Sequence, residues 1–356
     1  MSALDGVVIA DFGRVLAAPY ATMMLADLGA EVVKVEHPRG DETRTWGPPH
    51  AHGHATYFLS VNRNKRSRTI DLATPAGVAA ARELVLGADV LVENFRPGTM
   101  RRFGLDHESL REVHRGLVYC SVTGFGAGAG AALPGYDLLV QAVGGLMSVT
   151  GGDEPTKVGV ALVDVLTGMH AAVGILAALR HRDRTGLGQL VEVDLLSVLL
   201  SSMVNQSAGY TLAGVVPGRL GNRHPSIAPY EVFPTADAPV VLAVGNDRQF
   251  ARLCTALDLP PDNRFTTNAQ RVAHVDALFD LLAARLRARP AAEWFAVLTP
   301  LGVPCGPVND LAGAFALAES LGLDPTAEVG GMRLPANPIR LSATPAAYRL
   351  PPPNLE

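Results

Sequence analysis

Near its N-terminus the chain runs through an apolar stretch, a helix-length stretch and a second apolar stretch, and that order constrains the fold more than any other feature. Gly6 to Asp11, GVVIAD, reads as a buried parallel strand. After a turn over Phe12 to Ala18, Pro19 suits a first helical position, Tyr20 to Leu28 continues the helix and Gly29 ends it. Glu31 to Glu36, EVVKVE, is the next strand. A strand–helix–strand unit of this length predicts a parallel, Rossmann-like α/β sheet. The dinucleotide fingerprint is missing, because the first turn reads DFGRV with no GxGxxG, and this disfavours NAD or FAD.

The alternation continues. Strands are expected at Thr69 to Leu72, Ala88 to Phe95, Leu117 to Val122 and Gln189 to Val193, with helices over Pro75 to Leu86 and Leu105 to Val113. A long helix is expected over Leu195 to Ala213, and the Gly/Pro-rich stretch 214–229 marks a boundary. Beyond it, strands at Tyr230 to Pro234 and Pro239 to Val244, a strand entry at Gly302 to Val308 and helices over Asp247 to Leu257, Ala273 to Ala288, Ala291 to Leu298 and Asn309 to Leu321 predict a smaller α/β domain over 230–325. The first domain is thus 1–213, and 326–356 is extended and Pro-rich.

Of the 356 residues, 48% are hydrophobic and 18% charged, which supports a sizeable core. A net charge of −4 argues against a general nucleic-acid binder. Cys120, Cys254 and Cys305 are scattered and in no CxxC spacing, so free thiols in a cytoplasmic protein without a metal site are expected. No signal-like stretch opens the chain. The most apolar run, Val158 to Leu179, carries Asp164, His170 and glycines, and is expected as buried strand plus helix and not as a membrane span.

Three basic clusters follow expected strand ends: Arg39 and Arg44; Arg63, Lys65, Arg66 and Arg68; Arg96, Arg101 and Arg102. They read either as solvated surface charge or as a converging site for a phosphate-bearing polyanion. Asp164 stands where an expected strand, Val158 to Val163, meets a helix whose core stripe is Gly168, Ala171, Ala172, Ile175, Leu176 and Leu179. At such an N-terminus a carboxylate can accept backbone N–H bonds and feel the helix dipole, which favours its ionised, nucleophilic form; a plain N-cap is the alternative.

Several blocks, in order, resemble the family III CoA-transferases, the group that includes formyl-CoA transferase and alpha-methylacyl-CoA racemase. They include DFGRVLAAPYATMMLADLGAEVVKVE, NRNKRSRTIDL, ADVLVENFRPGTMRRFGL, PGYDLLVQAVGGLMSVTG, the stretch around Asp164 and GNRHPSIAPYEVFPTAD. The resemblance implies a large Rossmann-like domain, a smaller α/β domain, a final segment returning to the large domain and an interlocked homodimer. It implies an acyl-CoA:carboxylate CoA-transferase with no tightly bound cofactor, acyl-CoA and a carboxylic acid being the substrates. The family's nucleophilic aspartate falls on Asp164, with Asp137 as an assisting acid and Tyr136 beside it. Its CoA contacts fall on Leu16 and Ala17, on His37, on Ile70, Asp71, Leu72 and Ala73, on Asn94, Phe95 and Arg96, on Arg102, and on Leu133, Pro134, Gly135 and Tyr136.

The sequence departs from its relatives in two informative places. The racemase branch carries Gly-His-Asp where this chain has Gly135-Tyr136-Asp137, and a tyrosine is a poor base at neutral pH. That favours transfer over a racemase-like isomerase. The consecutive glycines of formyl-CoA transferase are replaced by Gly218 to His224, GRLGNRH. His170 is expected as a packed core residue, and a non-catalytic CoA-binding protein is the remaining alternative, against which the retained Asp164 speaks.

Overall fold

The computed structural model describes residues 2–356. Six strands form one fully parallel sheet: β1 (Val8–Asp11), β2 (Glu31–Glu36), β3 (Lys65–Thr69), β4 (Val90–Glu93), β5 (Val118–Thr123) and β6 (Leu190–Asp194). Their spatial order is β3-β2-β1-β4-β5-β6. The order reverses between β1 and β4, so the loops leaving these two strands diverge and open a crevice at their carboxyl ends. Alternation along each strand feeds a core on each face. Ile9, Val90 and Val92 join one cluster, and Ala10 and Leu91 the other.

Helix α1 (Ala17–Asp27) follows β1, α2 (Pro75–Leu86) follows β3, α3 (Asp137–Val143) follows β5, and α4 (Leu162–Thr185) precedes β6. Helix α4 buries Val163, Thr167, Gly168, Ala171, Ala172, Ile175, Ala178 and Leu179. Leu176, expected in that stripe, is exposed, and so is His170, whose Nδ1 instead bonds the Leu166 carbonyl. A side chain at Gly168 would place its Cβ 2.6 Å from the Ala17 carbonyl oxygen, so this glycine lets α4 lie against the start of α1. Helix α4 is long and apolar enough to cross a membrane by composition alone. Here its buried stripe is part of the core of a globular unit.

Three expectations shift. Val158 to Val163 forms no strand; Val158 gives its N–H to the Gln141 Oε1, and the helix begins at Leu162. The helix expected over Leu195 to Ala213 is broken at Met203 into α5 (Leu195–Ser202) and α6 (Val204–Ala213), with Val204 at φ +38°. The strand expected at Thr69 lies earlier, at Lys65–Thr69, inside the basic run. Along β3, Lys65 and Ser67 point inward while Arg66 and Arg68 are exposed. Arg63 and Lys65 are therefore neither surface charge nor phosphate ligands. Lys65 Nζ lies 3.0 Å from Asp11 Oδ2, and Arg63 pairs with Asp27 through two bonds of 2.9 and 2.7 Å.

By density of contacts the chain divides into two units. The first runs from the N-terminus to Leu146 with Lys157–Pro217 and Asp324–Glu356; the second holds Met147–Thr156 and Gly218–Leu323. In the first, the C-terminal stretch is stitched to the sheet edge. Asn64 Oδ1 accepts the N–H groups of Arg349 and Leu350, and its Nδ2 donates to the Ala347 carbonyl. The second unit has an antiparallel sheet of Tyr230–Phe233, Val240–Ala243 and Cys305–Pro307 around its own apolar core. There Arg223 pairs with Glu231 and Asp276.

Candidate active site

Two adjoining cavities open at the carboxyl ends of the strands, both within the first unit. The inner one, about 390 Å³, is walled by the loop after β1 (Arg14 to Ala17), the loop after β4 (Asn94 to Pro97), Val122 to Gly124, Leu133 to Tyr136, and Asp164. The outer one, about 610 Å³, takes His37 and Arg39 after β2, Ile70 to Ala73 after β3, and Phe103. Arg14, Glu42, Phe95 and Thr99 border both. Two loops cross in the inner wall at glycines. A Cβ on Gly124 would stand 2.4 Å from the Gly135 Cα, so only glycine brings the Leu133–Tyr136 segment this close.

The structure thus brings together nearly all residues singled out from the sequence. Leu16, Ala17, Asn94, Phe95, Arg96, Leu133, Pro134, Gly135, Tyr136 and Asp164 line the inner cavity, and His37, Ile70, Asp71, Leu72 and Ala73 the outer one. Arg102 is exposed on the turn Met100–Phe103 and lines neither. Asp137 stands behind the wall.

Asp164 is the third residue of α4, counted after the N-cap Ala161, which has no side chain able to cap. The capping is done from another helix. Asp137 Oδ1 accepts the N–H groups of Val163 (2.8 Å) and Asp164 (3.2 Å), and its Oδ2 accepts from Gln141 Nε2. Asp137 is therefore a cap, though of the helix that carries Asp164 and not of its own. The expectation that Asp164 itself gathers these bonds is overturned. Among the described residues no donor reaches the Asp164 carboxylate. Burial, and then the Asp137 charge beside it, push its pKa up to about 7. Asp164 thus titrates near neutrality; when ionised it is a half-buried carboxylate on the cavity wall with no hydrogen-bond donor, open to attack a substrate carbonyl.

Tyr57 escaped the sequence reading. Its ring meets Trp46 edge-on at 5.4 Å and packs in a small apolar cluster with Ala161 and Val165, which flank the Asp164 turn. Burial, then the charges of Asp164, Asp137 and Asp41, raise its phenol to about 12, so it stays protonated. The segment HATYFLS carried no pattern linking it to Asp164; only the fold brings them near. Among the described residues no group of three His, Cys, Asp or Glu side chains could hold a metal ion.

Residues 4–356 match the model of CoA-transferase family III. The chain is 43% identical to the succinate–glutarate CoA-transferase of Agrobacterium fabrum, covering 99% of this chain and 92% of that protein. It is 40% identical to the human succinyl-CoA:glutarate CoA-transferase, covering 99% and 83%, and 40% identical to the acetyl-CoA:oxalate CoA-transferase of Acetobacter aceti, covering 95% and 89%. Among solved structures, a CAIB/BAIF family protein from Brucella suis superposes with a TM-score of 0.90 at 41% identity, covering 99% and 96%. The chain belongs to CoA-transferase family III and is a CoA-transferase.

Proposed function

We propose that the enzyme moves CoA from an acyl-CoA to a carboxylic acid through covalent intermediates on Asp164. The observation that carries this reading is the Asp164 carboxylate: set in the cavity wall, without a donor, and titrating near pH 7. Its oxygen attacks the thioester carbonyl, the C–S bond breaks, and CoA leaves as the thiolate, forming an acyl–aspartyl anhydride. The thiolate then attacks the aspartyl carbonyl, releasing the donor acid and leaving an aspartyl–CoA thioester. The acceptor carboxylate repeats the two steps in reverse and departs as the new CoA ester, with Asp164 regenerated. No net proton is consumed. A carboxylate is a weak nucleophile, so holding the thioester at attack distance must supply much of the rate.

In this reading the thioester end lies in the inner cavity among Leu16, Ala17, Asn94 to Arg96 and Leu133 to Tyr136. The nucleotide end lies in the outer one among His37 and Ile70 to Ala73. Arg102, lining neither cavity, can act only on a part of the ligand outside them. The names of the relatives pair CoA with succinate, glutarate or oxalate, so a dicarboxylate is the proposed acceptor class and succinyl-CoA with glutarate the first pair to test. A homodimer goes with this reading. It is supported by apolar side chains left exposed along α4 (Met169, Val173, Leu176) and α6 (Val204, Tyr210, Leu212). A cytoplasmic setting is supported by the free thiols of Cys120, Cys254 and Cys305.

The test is intact-mass measurement after mixing with succinyl-CoA. An adduct that hydroxylamine removes, and that Asp164→Ala never forms, is expected. Exchange of an α-proton in deuterated water without any adduct would instead establish the isomerase reading.

A further inference from the structure

The loop between β1 and α1 has its backbone held almost atom by atom. Gly13 N–H donates to Asp11 Oδ1 (2.8 Å), and the Gly13 carbonyl accepts from Lys34 Nζ (2.8 Å). Arg14 N–H donates to Asn94 Oδ1 and its carbonyl accepts from Asn94 Nδ2, both at 2.8 Å. Val15 N–H donates to Asp41 Oδ2 (3.3 Å), which also takes Lys34 Nζ at 2.9 Å. Lys34, Asp41 and Asp11 are buried, so these anchors are fixed by the sheet. They hold Val15 at φ +66°, a conformation a β-branched residue adopts only when its surroundings impose it. A backbone gripped in this way does not shift to admit a ligand. The part free to change partner is the half-exposed Arg14 side chain.

That side chain is paired with Glu42, the residue next to Asp41 in sequence. The pair spans the place where the inner and outer cavities meet, since both residues border both cavities. A CoA thioester with its acyl end at Asp164 and its nucleotide in the outer cavity has to run past it. The guanidinium fork can engage one carboxylate or one phosphate face-on, so a fork held by Glu42 is not free for a phosphate.

We infer that Glu42 is a latch on Arg14 that sets the affinity for CoA: on binding, Arg14 exchanges the Glu42 carboxylate for a phosphate of the ligand. This rests on the assignment of the two cavities to CoA. The pair is about half exposed, with side-chain exposures of 44% and 47%, so the exchange costs little and the expected gain from removing the latch is modest.

The experiment is calorimetric titration of the full-length protein with free coenzyme A at low and raised salt. Glu42→Gln is expected to tighten Kd about threefold, Arg14→Gln to weaken it about tenfold, and the double variant to match Arg14→Gln, all differences shrinking with salt. An unchanged or weaker Kd in Glu42→Gln overturns the latch. So does tightening that persists in the Arg14→Gln background, which would make Glu42 a repelling charge with no hold on Arg14. Failure of the unaltered protein to bind coenzyme A would remove the cavity assignment itself, and the latch with it; binding with no gain in Glu42→Gln removes the latch alone.

Discussion

The carboxylates of Asp11, Asp27 and Asp41, buried against the sheet, and that of Asp164 in the cavity wall are treated in opposite ways. On the sheet side Asp27, Asp11 and Asp41 are each matched by a cation, while Glu93, held by Ser121 and the Phe95 N–H alone, is pushed by burial up to about 7. Asp27 takes Arg63 through both oxygens and also Asn64 and Asn337; Asp11 takes Lys65, Thr22 and Gly13 N–H. Burial pushes the Asp41 carboxyl up, but the Lys34 charge and the bonds from Lys34 and Thr43 outweigh it and hold it below the usual range. On the cavity side, Asp164 has burial and a neighbouring acid, no cation and no donor. The same residue type is structural where its charge is answered and reactive where it is not.

The largest expected effect tests whether that difference is the catalytic one. Asp164→Ala should lose CoA transfer by at least about a thousandfold while folding normally, because the proposed covalent intermediates form on its carboxylate. Rates with succinyl-CoA and glutarate, beside a melting curve, decide it; retained transfer would place the nucleophile elsewhere. The reverse experiment is Asp27→Ala. It strands Arg63 buried without its partner, so it should cost about 3–5 kcal/mol of stability in denaturant unfolding. A loss below about 1 kcal/mol would show that the matched set is not what secures the sheet edge.

The link between the two sets is Asp137, which caps α4 and charges Asp164. Asp137→Asn keeps an acceptor for the Val163 and Asp164 N–H groups and removes the charge. The Asp164 pKa should then fall, so the acid limb of the pH–rate profile should move to lower pH by up to about one unit. Asp137→Ala should shift the limb too and also cost about 1 kcal/mol from the lost cap. If Asp137→Asn leaves the limb in place, another group sets it.

How much of this was legible in the sequence follows the same division. The β1–α1–β2 unit, the parallel sheet and Asp164 could be read because each rests on local order: apolar runs, a helix start, a family block around one acid. The destination of a charge could not. In NRNKRSR the run of like charges hides a strand whose alternate residues turn inward, and the partners of Arg63 and Lys65 lie 36 and 54 positions away. Family position marks Asp137 as an assisting acid, but nothing in the local sequence says that it caps a helix beginning 25 residues later, at Leu162. Tyr57 and the Asp41 clamp on Val15 were invisible for the same reason. They are defined by where the crevice at the β1–β4 reversal gathers loops, not by any spacing along the chain.

The smallest expected effect concerns stability. Asp164 has its folded pKa raised to about 7 from an ordinary value of 3.8, so between those two pH values the folded state holds a proton that the unfolded state has released. Stability contributed by this group therefore falls as pH rises through that window, and above pH 7 the folded protein carries the full cost of the bare charge. Asp164→Asn removes the cost. It should raise stability at pH 8 by about 1 kcal/mol, a figure reduced for residual solvation, and the gain should vanish below about pH 4. Paired acids predict the opposite sign: an Asp41→Asn change should cost most at pH 8 and least in acid, because the carboxylate it removes is held ionised by Lys34. Melting curves of the two variants from pH 4 to 8 thus separate a strained carboxylate from a satisfied one, independently of any turnover measurement. If both variants lost stability with the same pH trend, Asp164 would be one more matched acid and its reactivity would need another source.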